Sequence, residues 1–118
     1  MKKFDYNENP YQRDRNKKLP TPIAELLKIF KEIGELIKKN ASEDTGFKGG
    51  LKTTSYAFES GKYEWKYWHG DDESGRTLIV DGKWIANHYD CYGNGEFEFI
   101  DENLIRMIHA ELTQLGAR

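Results

Sequence analysis

The apolar residues change period twice along this chain, and that change restricts the folds open to it. From Ile23 to Ile37 they recur every three or four residues; in Tyr63, Trp65 and Tyr67 they alternate with Lys62, Glu64 and Lys66; from Leu104 to Leu115 the helical spacing returns. A period near 3.6 marks a helix with one buried face, and a period of 2 marks a strand with one buried face. The chain therefore reads as helix, strands, helix. Its 118 residues suit one domain with one core.

Element boundaries follow from local chemistry. Thr21-Pro22 signals a helix start, with the threonine hydroxyl as cap and the proline at the first helical position. The helix is predicted to reach about Asn40, burying Ile23, Leu26, Leu27, Phe30, Ile33 and Ile37, with Ile29 and Leu36 at the stripe's edge. Gly34 lies in that stripe, where the absent Cβ allows another element to approach. Ala41–Gly50 holds Ser, Asp, Thr and three glycines and is predicted as loop. Strands are predicted over Leu51–Glu59, Lys62–Trp68, Arg76–Val80, Lys83–Tyr89 and Glu96–Ile100, with Phe97 and Phe99 facing the core. Ser60-Gly61 reads as a turn, and Asp81-Gly82 has the two residues that a type I′ hairpin requires at positive φ. Asp101 is placed to cap the last helix, and Gly116 to end it. The expected fold is α+β: an antiparallel sheet of four to five strands with both helices on one face.

Residues 1–19 have no long apolar run and are rich in Asn, Lys, Arg and Asp. They are read as a flexible basic arm, with Phe4, Tyr6 and Tyr11 available to dock on the body or on a partner. The folded domain is then 20–118, and removing residues 1–19 is expected to leave thermal stability nearly unchanged. The net charge of −2 hides a split in sign: residues 1–40 carry ten basic and six acidic side chains, a balance of +4, and residues 41–118 carry eight and fourteen, a balance of −6. Such asymmetry bears on partners and association rates, not on fold. The candidate partner-binding residues are Lys2, Lys3, Arg13, Arg15, Lys17 and Lys18 in the arm, and Asp71, Asp72 and Glu73 in the acidic connection after His69.

Composition narrows the class. With 37% hydrophobic and 32% charged residues, the chain is neither disordered throughout nor a membrane protein, and the single Cys91 forms no internal disulfide. The start Met1-Lys2-Lys3 is followed by polar residues and no apolar signal region, and no window nears about 18 apolar residues. A reducing cytoplasmic location without membrane association is expected. No cofactor is expected either, since phosphate-loop, dinucleotide and nucleophile-elbow patterns are absent.

Two constellations have catalytic precedent. Glu64-Trp65-Lys66 fits the E-x-K triplet of metal-dependent nucleases, in which a carboxylate holds the ion and a lysine polarises water; an Asp on an adjacent strand is also required, and Asp44 is the nearest upstream candidate. His88 and Asp90 share a strand face and could reach one ion, with Cys91 beside them; His69, Asp71, Asp72 and Glu73 form a second cluster. His109 lies beside the apolar stripe of the last helix, a structural position. The element order is similar to that of double-stranded-RNA-binding domains, but their last helix begins with lysines where this one reads Asp101-Glu102-Asn103. Trp68 or Trp84, if exposed, would instead anchor a plain interaction module.

Gly61-Lys62-Tyr63-Glu64, then Gly75-Arg76 leading into Leu78-Ile79-Val80, then the amphipathic helix after Phe99-Ile100-Asp101 carry a resemblance to small phage-encoded anti-CRISPR proteins that inhibit Cas9. The arm adds Arg13, Arg15, Lys17 and Lys18 by composition. The resemblance implies a non-enzymatic inhibitor that binds a host protein or ribonucleoprotein, such as Cas9 with its guide RNA, using the arm on nucleic acid or on an acidic protein surface. The alternative expectations are the nuclease built on Glu64 and Lys66 and the interaction module.

Overall fold

The computed structural model describes residues 1–8, 17–48 and 51–116. Its elements run β1 (Lys2–Asn7), α1 (Thr21–Asn40), β2 (Ser42–Lys48), β3 (Leu51–Phe58), β4 (Tyr63–His69), β5 (Glu73–Val80), β6 (Lys83–Cys91), β7 (Asn94–Phe99) and α2 (Glu102–Gly116). The strands form one antiparallel sheet in the order β1-β7-β6-β5-β4-β3-β2. The α+β class stands, with seven strands in place of four or five.

Both extra strands lie at the edges of the sheet. Lys2–Asn7 pairs with β7, Phe4 opposite Phe97 and Tyr6 opposite Gly95. Phe4 stacks on Phe99 with centroids 6.0 Å apart, and Tyr6 is buried in the core. The expectation of an unpaired arm is thus corrected for residues 2–7: two aromatic rings and a ladder of backbone hydrogen bonds offset the entropy of ordering six residues. Lys17 and Lys18 are exposed and outside any helix or strand, while Arg13 and Arg15 lie outside the described residues. Ser42–Lys48, expected as loop, pairs with β3 along its whole length. An edge strand needs pairing on one side only, so its glycine and acidic residues are tolerated.

Cross-strand register defines an inner face. One row runs Phe4, Phe97, His88, Arg76, Tyr67 and Thr54, and the row beside it contains Phe99, Ala86, Leu78, Trp65 and Tyr56. A bulge at Leu78/Ile79 leaves Ile85 without a β5 partner, so Ile85 and Ala86 are both buried although adjacent in sequence. The α1 stripe packs on this face. Phe30 lies 4.8 Å from Trp65 and 5.4 Å from Phe97, centroid to centroid, and a Cβ at Gly34 would collide with the Trp65 ring.

The caps divide between agreement and correction. Asp101 Oδ1 accepts the Asn103 backbone N–H at 2.7 Å, as its position predicts. Thr21 is not a cap: the N-cap is Pro20, whose carbonyl receives Ile23 and Ala24 N–H, both at 2.9 Å, with no side-chain cap. Asp81 and Gly82 have φ of 52° and 74°, as a type I′ turn requires.

Candidate functional site

The structure gathers side chains where α1 overhangs the inner face. A cleft of about 490 Å³ is floored by Trp65, Tyr67 and Arg76 and walled by Lys28, Lys31, Glu32, Glu35 and Lys38 of α1. A second hollow of about 640 Å³ shares Lys28 and Lys31 and continues toward the start of the helix, adding Tyr6, Glu8, Lys18 and Asp90. The helix period explains the wall. With Phe30, Ile33 and Ile37 facing the core, Lys31 and Lys38 fall on an adjoining flank, seven residues apart and so aligned along the axis.

A hydrogen-bonded chain ties the two hollows together. Arg76 Nη1 donates to His88 Nδ1 at 3.1 Å, and His88 Nε2 lies 2.7 Å from Tyr6 Oη. A guanidinium has only donors, so Nδ1 must accept, and the imidazole proton sits on Nε2 and is donated to Tyr6. Burial drives the His88 pKa down to about 4, with Lys31 and then Arg76 adding to the effect. Neutral His88 is therefore a fixed acceptor that orients the Arg76 fork. Burial, with Asp90 and Glu8 nearby, raises the Tyr6 pKa to about 12, so its hydroxyl stays protonated. Asp90 Oδ1 and Trp65 Nε1 are buried and have no hydrogen-bond partner among the described residues.

Positive charge dominates the cleft. Arg76 lies 5.4 Å from the Tyr67 ring centroid and Lys38 Nζ lies 5.6 Å from it, both within cation–π range. Each glutamate in the wall is engaged: Glu35 with Lys38 at 3.4 Å and Glu32 with His109 at 3.0 Å. Among the described residues Lys28, Lys31 and Arg76 have no carboxylate partner.

The residues singled out in the sequence are dispersed. Lys2 and Lys3 are held in β1, 3.7 Å from Glu102 and 3.4 Å from Glu96. The Lys17 carbonyl accepts Asn7 N–H at 2.8 Å, and among the described members of the basic set only Lys18 lines the hollows beside α1. Asp71 and Asp72 are exposed in the bend between β4 and β5, whereas Glu73 accepts the Tyr89 hydroxyl at 2.5 Å, which raises the Tyr89 pKa. Trp68 and Trp84 are half-buried, Trp68 lying over Gly75 beside Tyr89, so neither is the fully exposed anchor that an interaction module would present.

Catalytic groupings do not assemble among the described residues. Glu64 stands between Ala57 and Ile79 in register, and Lys66 between Ser55 and Thr77. Asp44 is in register with Ser55, two strands from Lys66 and so about 10 Å away. His88 and Asp90 do share the inner face, yet both His88 nitrogens are occupied by protein partners, and no group of three metal-ligating side chains comes together. His109 occupies the structural position expected of it, half-buried against Glu32.

Sequence reasoning missed Tyr67, Arg76, Lys31 and Lys38 as a group. The signal present was the pair of lysines seven apart on α1; their meeting with Arg76 depends on which strand lies beneath the helix. No helix among the described residues is long and apolar enough to cross a membrane. Compared with protein-family models, curated proteins and solved structures, the chain matches none.

Proposed function

We propose that this protein acts by binding, as a non-enzymatic inhibitor of a host nucleoprotein such as Cas9 with its guide RNA. The observation that carries the reading is the set of cations, Lys28, Lys31 and Arg76, which open onto a cleft without carboxylate partners among the described residues. Unpaired cations attract an anionic surface over a Debye length of about 8 Å at physiological salt and speed encounter with it. The flank of α1 is the contact surface for nucleic acid or an acidic protein face. The acidic remainder, −6 over residues 41–118 from eight basic and fourteen acidic side chains, faces basic surfaces of the same complex. In this reading Lys2 and Lys3 serve the fold, and recognition moves from a leader to a helix.

The test is a cleavage assay in which the purified protein is added to a Cas9 and guide RNA complex before target DNA. The expected result is dose-dependent loss of cleavage, co-elution of the protein with the complex, and no degradation of DNA or RNA by the protein alone with Mg²⁺ or Mn²⁺. Undiminished cleavage with no co-elution would overturn the Cas9 reading, and degradation that disappears in Glu64→Ala would overturn the non-enzymatic one.

A further inference from the structure

We propose that the cleft between α1 and the sheet is a phosphate-binding site for a nucleotide, with Arg76 and Lys31 holding the phosphate and Tyr67 receiving the attached ring. The inference stands apart from the inhibitor reading, since phosphate binding is expected whether or not the partner is a nucleoprotein.

Arg76 is the anchor. A half-buried guanidinium without an anion is costly, and a structural arginine in such a place is normally matched by a carboxylate. Two glutamates line this cleft, and each is held by another partner, Lys38 or His109. One Arg76 nitrogen is used by His88, a neutral acceptor that adds no charge, and the guanidinium otherwise faces the Tyr67 ring, so donors remain and no anion offsets the charge. The Tyr6–His88–Arg76 chain fixes the fork before any ligand arrives, and preorganisation lowers the entropic cost of binding. Planar, bidentate capture of phosphate is the chemistry that a fixed guanidinium performs best.

Further features narrow the ligand. Lys28 and Lys31 bring the unpaired cations around the cleft to three, which suits a phosphate dianion better than a single carboxylate. Trp65, 1% exposed, lines the cleft, and its buried indole N–H, without a partner among the described residues, is a reporter of any ligand that enters. The volume of about 490 Å³ exceeds what a bare phosphate fills and falls in the range of small-molecule sites. The Tyr67 ring provides the apolar surface on which a base can stack.

The same chemistry reaches the cleft either as a free nucleotide or as one unit of a single strand, and titration distinguishes the two. Uniformly ¹⁵N-labelled full-length protein is titrated at low salt with inorganic phosphate, a nucleoside monophosphate and a single-stranded RNA hexamer, following the Trp65 indole N–H and the Arg76 side chain. Saturable shifts at both groups are expected, with the monophosphate about tenfold tighter than phosphate. A hexamer no tighter than the monophosphate identifies a free nucleotide as the ligand; a hexamer at least about tenfold tighter identifies a strand. Arg76→Gln is expected to weaken binding by about tenfold or more. Because that change also removes a support of His88, Lys31→Gln on the exposed flank is the second variant, expected to weaken binding several-fold with an unchanged melting temperature. No saturable shift at Trp65 or Arg76 below about 10 mM of any ligand, or equal small shifts at every surface lysine including Lys39, would overturn the assignment.

Discussion

His88 links burial to pH. Its side chain is 1% exposed and its pKa is lowered to about 4 from the ordinary 6.5. Above pH 6.5 it is neutral in both folded and unfolded chains, so its contribution is fully present. As the pH falls from 6.5 toward 4, the unfolded chain takes up a proton that the folded chain refuses, and stability is lost, by roughly 3 kcal/mol at the limit. His88→Gln is therefore predicted to flatten the acid limb: urea midpoints measured from pH 7 to pH 4.5 should fall less steeply in the variant than in the parent, and parallel curves would show that His88 does not carry the effect. Two glycines leave no room for a side chain. A methyl at Gly34 collides with Trp65, which is buried against Phe30, and a methyl at Gly75 collides with Trp68, which is half-buried beside Tyr89. Overpacking by about 1–3 kcal/mol, offset by about 1 from helix propensity, makes Gly34→Ala destabilising by up to about 2 kcal/mol. Gly75→Ala should likewise be destabilising, by up to about 2 kcal/mol, in the same denaturation experiment.

Among the elements, those with a long one-faced apolar pattern were legible and those at the sheet's edges were not. Ile23 to Ile37 specified α1 with its buried positions, and Tyr63, Trp65 and Tyr67 specified the inner face of β4. The Asp81-Gly82 turn and the Asp101 cap followed from local chemistry. β1 and β2 escaped because an edge strand needs few apolar residues: β1 has Phe4 and Tyr6 as its apolar inner residues, with Lys2 on the same side and Lys3 and Asp5 outside. That short alternation was the available signal, and the surrounding charges obscured it. The consequence is measurable. Deleting residues 1–8 removes Tyr6 from the core and exposes the β7 edge, so the melting temperature should fall by more than about 10 °C, given that truncating one buried aromatic ring alone costs about 3 kcal/mol. An unchanged melting temperature would return residues 2–7 to the status of a free arm.

For the whole molecule, the division of charge was readable from the sequence, but its location was not. The count of ten basic against six acidic residues in 1–40 drew attention to the cluster from Arg13 to Lys18. Folding commits Lys2 and Lys3 to surface ion pairs, which are worth little, and sets the lysines of α1 beside Arg76 of β5, forty-five residues after Lys31. No spacing rule connects those two segments; only the helix lying across the sheet does. If recognition depends on this cationic flank, affinity must vary with salt. Binding of the full-length protein to the nucleoprotein should weaken linearly in log–log form with added salt. In the double variant Lys28→Gln/Lys31→Gln the slope should be shallower by about 1.4 to 1.8, the loss expected for two phosphate contacts. A slope identical to that of the parent chain would contradict the account.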